Sequence, residues 1–129
     1  MLQGYHANTK LRLDKGVQYL VFSKEADFER YFGKSFEKDK PRFEFEHVVV
    51  MLTPPTKEQY FLSFESEAYK AGGTIEVYCT VRKEPHLLTY YDHPIAIAAI
   101  PKYFAVHTIK FYSTAKKRKL LRTIAVSPR

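Results

Sequence analysis

The stretch Phe45-Glu46-His47-Val48-Val49-Val50-Met51-Leu52 decides the fold, because it contains the longest β-branched run in the chain. Two prolines, Pro54 and Pro55, follow it and end it abruptly. A continuous apolar run that is bounded by breakers is typical of a strand buried on both faces. We therefore predict a central strand over residues 42–52, with the remaining strands and one helix arranged around it.

A single helix is predicted over residues 24–32. Ser23 precedes it and is of a residue type that caps helix N-termini, and two acidic residues stand in the first turn, where the helix dipole favours them. Gly33 follows the segment and suits the position after a helix C-terminus. The aromatic residues that recur at helical spacing are Phe28, Tyr31 and Phe32. Their stripe predicts the face on which this short helix packs.

The rest of the chain consists of short segments with strand character, separated by turn residues. One predicted turn is Ala71-Gly72-Gly73, whose glycines readily adopt positive φ. The predicted strands besides the central one cover residues 10–13, 17–22, 59–66, 74–81, 95–100, 106–112 and 120–126. No alternation of strands with helices follows the first helix, which argues against a parallel sheet. We predict one α+β domain over residues 1–129, with a mostly antiparallel sheet that forms a sandwich or a half-open barrel.

The composition limits the class of protein. The chain has 129 residues, of which 45% are hydrophobic, and this suffices for one domain with its own core. The net charge of +7 permits an acidic partner such as nucleic acid, an anionic membrane surface or an acidic protein, and it also fits a solvated basic surface. No apolar segment approaches the roughly 20 residues of a membrane span. No signal peptide is recognisable, which predicts a cytosolic chain or one separated from its leader.

Two histidines lie close to carboxylates in the segment 84–93. His86 and His93 have Glu84 and Asp92 as neighbours in sequence, but their spacing matches no known metal cage. The segment between the flanking prolines is predicted as a polar loop, in which His86 to Tyr91 could form a short extended piece. We predict neither a bound metal nor a cofactor.

The other candidate catalytic residues have structural interpretations. His47 lies on the central strand, which predicts a hydrogen-bonded core histidine, and His107 alternates with Ile109 and Phe111, which predicts a packing role. Cys79 is the only cysteine, so an internal disulfide is excluded, and it shares a strand face with aliphatic residues. No glycine-rich phosphate loop is present. The sequence therefore predicts that the protein is not an enzyme.

Two sets of residues could contact a macromolecule. The first consists of tyrosines predicted on exposed faces, namely Tyr60, Tyr78, Tyr90, Tyr91 and Tyr112. Such tyrosines can stack single-stranded bases, form a protein-binding face or pair across neighbouring strands. The second is the run Lys116-Lys117-Arg118-Lys119, which could contact phosphates or form the solvated tip of a C-terminal hairpin.

Three stretches resemble the PrcB C-terminal domain family, which is named after a bacterial lipoprotein found in complex with a secreted protease. They are residues 43–50 (FEFEHVVV), 73–85 (GTIEVYCTVRKEP) and 93–102 (HPIAIAAIPK). The family usually carries a Gly-Gly-Tyr type of turn after its first strand. This chain has the segment 54–60 (PPTKEQY) at that place and keeps only the tyrosine.

The resemblance implies a non-enzymatic domain of the bacterial cell envelope that binds a partner protein, such as a protease, and stabilises or regulates it. We predict that the contact is made by two loops, 54–60 and 85–94, because functional residues concentrate on loops held by a rigid sheet. The predicted partner-binding residues are Tyr60, His86, Tyr90, Tyr91 and His93. The alternative is a nucleic-acid-binding β domain that uses Lys116, Lys117, Arg118, Lys119 and the exposed tyrosines.

Overall fold

The computed structural model describes residues 16–33, 41–103, 105–114 and 119–126. In chain order its elements are β1 (Gln18–Phe22), α1 (Glu25–Phe32), β2 (Glu46–Leu52), β3 (Thr56–Lys70), β4 (Thr74–Asp92), β5 (Ile95–Pro101), β6 (Thr108–Ser113) and β7 (Lys119–Ala125). A mostly β chain with one short helix agrees with the predicted α+β class. The predicted strand 10–13 and the cations Lys116, Lys117 and Arg118 lie outside the described residues.

The strands form two sheets, ordered β1-β2-β5 and β3-β4-β6-β7, and neither closes into a barrel within the described ranges. Every pair of neighbours is antiparallel except β4 and β6, which run parallel. The prediction of mostly antiparallel pairing is confirmed. The parallel pair arises because the chain crosses to the three-stranded sheet as β5 and returns as β6 in the direction of β4.

β2 is the central strand, and all of its residues from His47 to Leu52 are buried, as predicted. Val49 and Met51 pack against the four-stranded sheet in one hydrophobic cluster. The alternate residues Val48, Val50 and Leu52 pack against the helix in a second cluster. The predicted start at residue 42 was too early, because the Arg42 carbonyl accepts hydrogen bonds from the Phe45 and Glu46 N–H groups in a tight turn.

The helix α1 is one residue shorter than predicted and covers the outer face of the three-stranded sheet. Phe28 and Phe32 are its buried side chains, and Gly33 ends it with a φ of 73°. The prediction that Ser23 caps the helix was wrong, since Lys24 occupies the N-cap position and makes no side-chain cap. The Ser23 hydroxyl instead lies 2.8 Å from Nδ1 of buried His47, which needs a hydrogen-bond partner in the core.

β3 and β4 form a long antiparallel ribbon that turns at residues 71–73, where Gly72 and Gly73 have positive φ as the predicted turn requires. We call residues 62–70 and 74–81 the proximal ribbon, and residues 56–61 and 82–92 the distal ribbon. β6 pairs with β4 only along the proximal ribbon, from Thr74 to Cys79. The distal ribbon continues beyond this pairing as an extension of the sheet.

The predicted loop 85–94 was wrong for most of its length, because β4 continues to Asp92. Pro85 does not end the strand, since it lies where the ladder bulges. Glu58 faces Leu87 and Tyr60 faces Lys83, so two steps along β3 correspond to four steps along β4. A bulge leaves residues without ladder partners, and a proline is tolerated there because its missing N–H is not needed.

The prediction that His107 packs in the core was also wrong. His107 precedes β6, and its side chain is exposed. Its Nε2 lies 2.8 Å from the Gly72 carbonyl oxygen and its Nδ1 lies 2.8 Å from the Thr108 hydroxyl. The imidazole therefore links the ribbon turn to the start of β6 by hydrogen bonds and contributes little to the core.

Candidate functional site

The distal ribbon concentrates large apolar side chains that face solvent. Half of the large exposed hydrophobic residues among the described ranges lie on it, namely Phe61 (47% exposed), Leu87 (70%), Tyr90 (60%) and Tyr91 (69%). In the proximal ribbon of the same strands, Leu62, Ile75, Val77 and Cys79 are buried against the other sheet, and Tyr69 is the large hydrophobic residue that stays exposed. An exposed group of this kind is typical of an interaction surface.

The predicted partner-binding residues all lie in or beside this ribbon, and four of the five are in strands rather than loops. Tyr60 is in β3, and His86, Tyr90 and Tyr91 are in β4. Only His93 lies in a connection, between β4 and β5. The predicted loop 54–60 was wrong for the same reason, because β3 already begins at Thr56. The ladder pairs Tyr60 with Lys83, whereas His86, Tyr90 and Tyr91 lie in its irregular part, between the paired residues Lys83, Leu87 and Asp92.

His93 is an unusual member of this group. Its Nε2 is buried and has no hydrogen-bond partner within the described part of the chain. Its backbone N–H donates to the Asp92 carboxylate at 2.8 Å, which stabilises the chain reversal into β5. The Nε2 edge of this half-buried ring is therefore shielded from solvent, and the predicted role of His93 in partner binding stays a prediction.

The charged groups of the distal ribbon are engaged with neighbours. Lys83 lies 2.9 Å from the Glu58 carboxylate across the two strands, and Arg82 lies 2.8 Å from Glu84. The Arg82 guanidinium also stacks over the Phe61 ring, 4.9 Å from its centroid. These pairs are exposed, so each adds little to stability. They leave a surface on which apolar rings alternate with neutralised charges.

Tyr60 takes part in this network of charged groups and also lines a cavity. Its hydroxyl donates a hydrogen bond of 2.9 Å to Glu58, and burial, followed by this bond, raises the pKa of the phenol. The cavity has a volume of about 290 Å³ and lies between the turn after β2 and the end of β4. Its described lining consists of Gly16, Thr53, Pro54, Pro55, Thr56, Lys57, Glu58, Tyr60 and Tyr91. Lys57 lies over the Tyr91 ring, with Nζ 5.2 Å from the centroid.

The predicted contact segments 54–60 and 85–94 include Lys57, Glu58 and Leu87 without naming them as contact residues, and they leave out Phe61. Leu87 carried a local signal, since it begins a Leu-Leu-Thr-Tyr-Tyr run with high strand propensity. The cross-strand pair of Glu58 with Lys83 carried none, because the two residues are distant in sequence and meet only through the bulged register.

The basic cluster is described only at Lys119, which starts β7 opposite Ser113. The connection from β6 leaves the sheet beside the Cys79 carbonyl, which accepts a hydrogen bond of 2.9 Å from the Thr114 N–H. Both flanks of the cluster therefore lie near the junction of the proximal and distal ribbons. Two other predicted tyrosines, Tyr78 and Tyr112, face each other across β4 and β6 with ring centroids 6.2 Å apart, which is cross-strand pairing.

A serine and a histidine meet near the start of β2, at the other end of this strand from the cavity. Burial and, to a lesser degree, the charge of Lys102 lower the pKa of His47 to about 4. Lys102 donates hydrogen bonds to the carbonyls of Ser23 and Phe43, so it holds the ends of three segments together. His47 is only 3% exposed, and this burial indicates that the Ser23–His47 pair is structural.

Cys79 is buried in the main cluster, and burial raises the pKa of its thiol to about 12, which disfavours the reactive thiolate. Within the described ranges, no three His, Cys, Asp or Glu side chains are grouped so as to hold a metal ion. No described helix has the length and apolar character to cross a membrane. The distal ribbon is therefore the best-defined candidate site.

No protein-family model, curated protein or solved structure matches this chain. The comparisons thus assign neither a family nor a function. The resemblance of three stretches to the PrcB C-terminal domain family stays a prediction.

Proposed function

We propose that the protein is a non-enzymatic protein-binding domain that captures its partner with the distal ribbon. The observation that carries this proposal is the exposure of Leu87, Tyr90 and Tyr91 on strands whose proximal parts are packed in the core. Tyrosine gives a large contact area at a small cost in side-chain entropy, which is why it is enriched at protein interfaces. The pairs Leu87–Glu58 and Asp92–Thr56 anchor the strand on both sides of Tyr90 and Tyr91, which limits the backbone ordering that binding would cost.

The charges on this surface favour a protein partner over a nucleic acid. Phosphate binding requires cations that are free to meet it, and Arg82 and Lys83 already contact carboxylates. The Glu58 partner raises the pKa of Lys83, so the ammonium persists within this pair. Nucleic acid would therefore rely on Lys57, which no carboxylate contacts among the described residues, and on the basic run 116–119, of which Lys119 alone is described.

The kind of partner and the cellular compartment are proposed from the resemblance to the PrcB C-terminal domain family. This resemblance implies a protein of the bacterial cell envelope whose partner is another protein, such as a protease, which the domain stabilises or regulates. The buried state of Cys79 and His47 supports the non-enzymatic part of the proposal, since neither side chain is accessible to a substrate.

The test is capture of a partner from an extract of the source cells by the immobilised domain, at low and at moderate salt, with and without nuclease. The retained protein is identified by mass spectrometry and its binding is measured with both proteins purified. We expect the double variant Tyr90→Ala/Tyr91→Ala to weaken this affinity at least about tenfold, because each exposed ring is an anchor of the contact. Its melting temperature stays close to that of the wild type.

The matched control is Tyr69→Ala/Tyr103→Ala. These two tyrosines are also exposed, at 48% and 43%, and their rings lie 5.2 Å apart on another part of the surface. We expect this variant to keep the affinity. Equal losses in both double variants would contradict the proposal, as would a large drop in the melting temperature of the first. Retention that disappears with nuclease or moderate salt would favour the nucleic-acid alternative.

A further inference from the structure

The cavity next to the distal ribbon has walls suited to a small apolar group. Its lining includes Pro54, Pro55, Tyr60 and Tyr91. Proline and tyrosine rings offer flat apolar surfaces, while the phenol hydroxyls add polar edges. The volume of about 290 Å³ lies at the lower end for ligand pockets, so it suits one or two side chains of a larger partner.

The charges at the rim of this cavity are not equivalent. The Glu58 carboxylate is satisfied by the Lys83 ammonium at 2.9 Å and by the Tyr60 hydroxyl at 2.9 Å. Lys57 lies over the face of Tyr91, and no carboxylate contacts it within the described part of the chain. The rim therefore presents a positive charge to a ligand, while its negative charge is already neutralised.

We propose that this cavity receives a proline from an extended, acidic segment of the protein partner, and that a carboxylate of that segment pairs with Lys57. A proline-containing segment is extended before it binds, so docking its ring on aromatic side chains costs little conformational entropy. The net charge of +7 favours the approach of an acidic segment. The inference rests on the proposed protein-binding function and adds the chemistry of the segment that is recognised.

The first test uses three synthetic peptides of equal length, with the central sequences Glu-Pro-Pro-Glu, Lys-Pro-Pro-Lys and Glu-Ala-Ala-Glu. Each is titrated into the ¹⁵N-labelled protein, and amide chemical shifts are followed. We expect the acidic proline peptide to shift the amides of Lys57, Tyr60 and Tyr91. The other two peptides should bind at least about tenfold more weakly, because one lacks the charge and the other lacks the ring. Shifts that map away from the cavity would overturn the inference.

The second test reverses the charge at the rim. Lys57→Glu should invert the preference, so that the basic proline peptide binds more tightly than the acidic one. Lys70→Glu is the matched control, since Lys70 is an exposed lysine at the opposite end of β3 and the change in net charge is the same. We expect the control to keep the acidic preference. A preference that is insensitive to Lys57→Glu, or equally sensitive to both variants, would overturn the role of Lys57.

Partner capture, measured in parallel, separates this inference from the proposed function. Tyr90 lies on the distal ribbon but not among the cavity-lining residues. If Tyr90→Ala weakens partner binding while Lys57→Glu changes neither peptide nor partner binding, the cavity inference fails and the protein-binding function stands. If no protein partner is captured and no peptide binds, both fail. Loss of partner binding in Lys57→Glu but not in Lys70→Glu supports the cavity as part of the contact.

Discussion

In the proximal ribbon the side chains of Ile75, Val77 and Cys79 are at most 1% exposed, whereas in the distal ribbon Leu87 and Tyr91 are 70% and 69% exposed. Both halves belong to the same two strands and are continuous in the ladder. The proximal half has β6 beside it and the three-stranded sheet against its inner face. The difference shows that strand pairing and core formation are separable in this chain, and that burial follows the second layer.

The irregular pairing of the distal ribbon fits this division. Two of the three register shifts between β3 and β4 fall there, between Thr56 and Glu58 and between Glu58 and Tyr60. Bulges twist an edge away from regular pairing and so limit edge-to-edge aggregation of an exposed ribbon. The side chains of the distal ribbon are thus available for contacts, while its backbone edge is a poor template for another strand.

The largest expected effect tests the division directly. Ile75→Ala should destabilise the protein by about 2 to 5 kcal/mol, because it removes a fully buried side chain and leaves a cavity. Leu87→Ala, in the same strand, should change the free energy of unfolding by no more than about 0.5 kcal/mol. Urea denaturation of both variants measures the difference. Similar losses of stability in the two variants would show that Leu87 is also packed against another part of the fold.

The body of the fold should respond to acid through His47. The pKa of this histidine is about 4 in the folded protein and 6.5 ordinarily, so the unfolded chain takes up the proton first as the pH falls. Stability should therefore be unaffected by His47 above pH 6.5 and should decrease between pH 6.5 and 4, by at most about 3 kcal/mol.

Urea denaturation at several pH values, with His47→Gln as the comparison, measures this contribution. The variant should lose part of the decrease between pH 6.5 and 4, since glutamine does not titrate. The affinity of the distal ribbon for its partner should not follow this pH dependence, because the Ser23–His47 pair lies near the start of β2, away from the distal ribbon. If stability depends on pH in the same way in the wild type and in His47→Gln, then His47 does not cause the decrease.

The turn of the ribbon offers a comparison of intermediate size. Gly72→Ala meets no atom within 4 Å and should cost about 1 to 2 kcal/mol from its positive φ alone. Gly73→Ala should cost more, because its Cβ would lie 2.5 Å from the Ala105 carbonyl oxygen and 2.7 Å from the His107 ring. Thermal denaturation ranks the two variants. A smaller effect at Gly73 would mean that the turn can move away from His107.

The smallest effect is expected at His93. Its buried Nε2 has no hydrogen-bond partner among the described residues, so His93→Leu should leave stability unchanged or raise it slightly. Partner affinity should also change little if the buried Nε2 edge makes no contact with the partner. A clear loss of affinity without a loss of stability would support the sequence-based prediction that His93 contacts the partner.

Much of the fold was predictable from local patterns. The valine run predicted a strand buried on both faces, the aromatic stripe predicted the packing face of the helix, and Gly72 and Gly73 predicted the ribbon turn. Each of these features depends on side-chain periodicity or on a backbone conformation that few residues adopt. The candidate site was predicted in part, since Tyr60, Tyr90 and Tyr91 were chosen as exposed aromatic residues but placed in loops.

By itself, the sequence determined the class of fold, the core strand and the tyrosine-rich segment that forms the candidate surface. Only the tertiary structure decided that Pro85 lies in a bulge and that β4 continues past it, because a proline breaks a strand only where its N–H is needed in the ladder. The tertiary structure likewise decided that Ser23 hydrogen-bonds to His47 and that Lys83 forms an ion pair with Glu58. These pairs join residues that are far apart in sequence, and no local pattern encodes which distant partners the sheet register brings together.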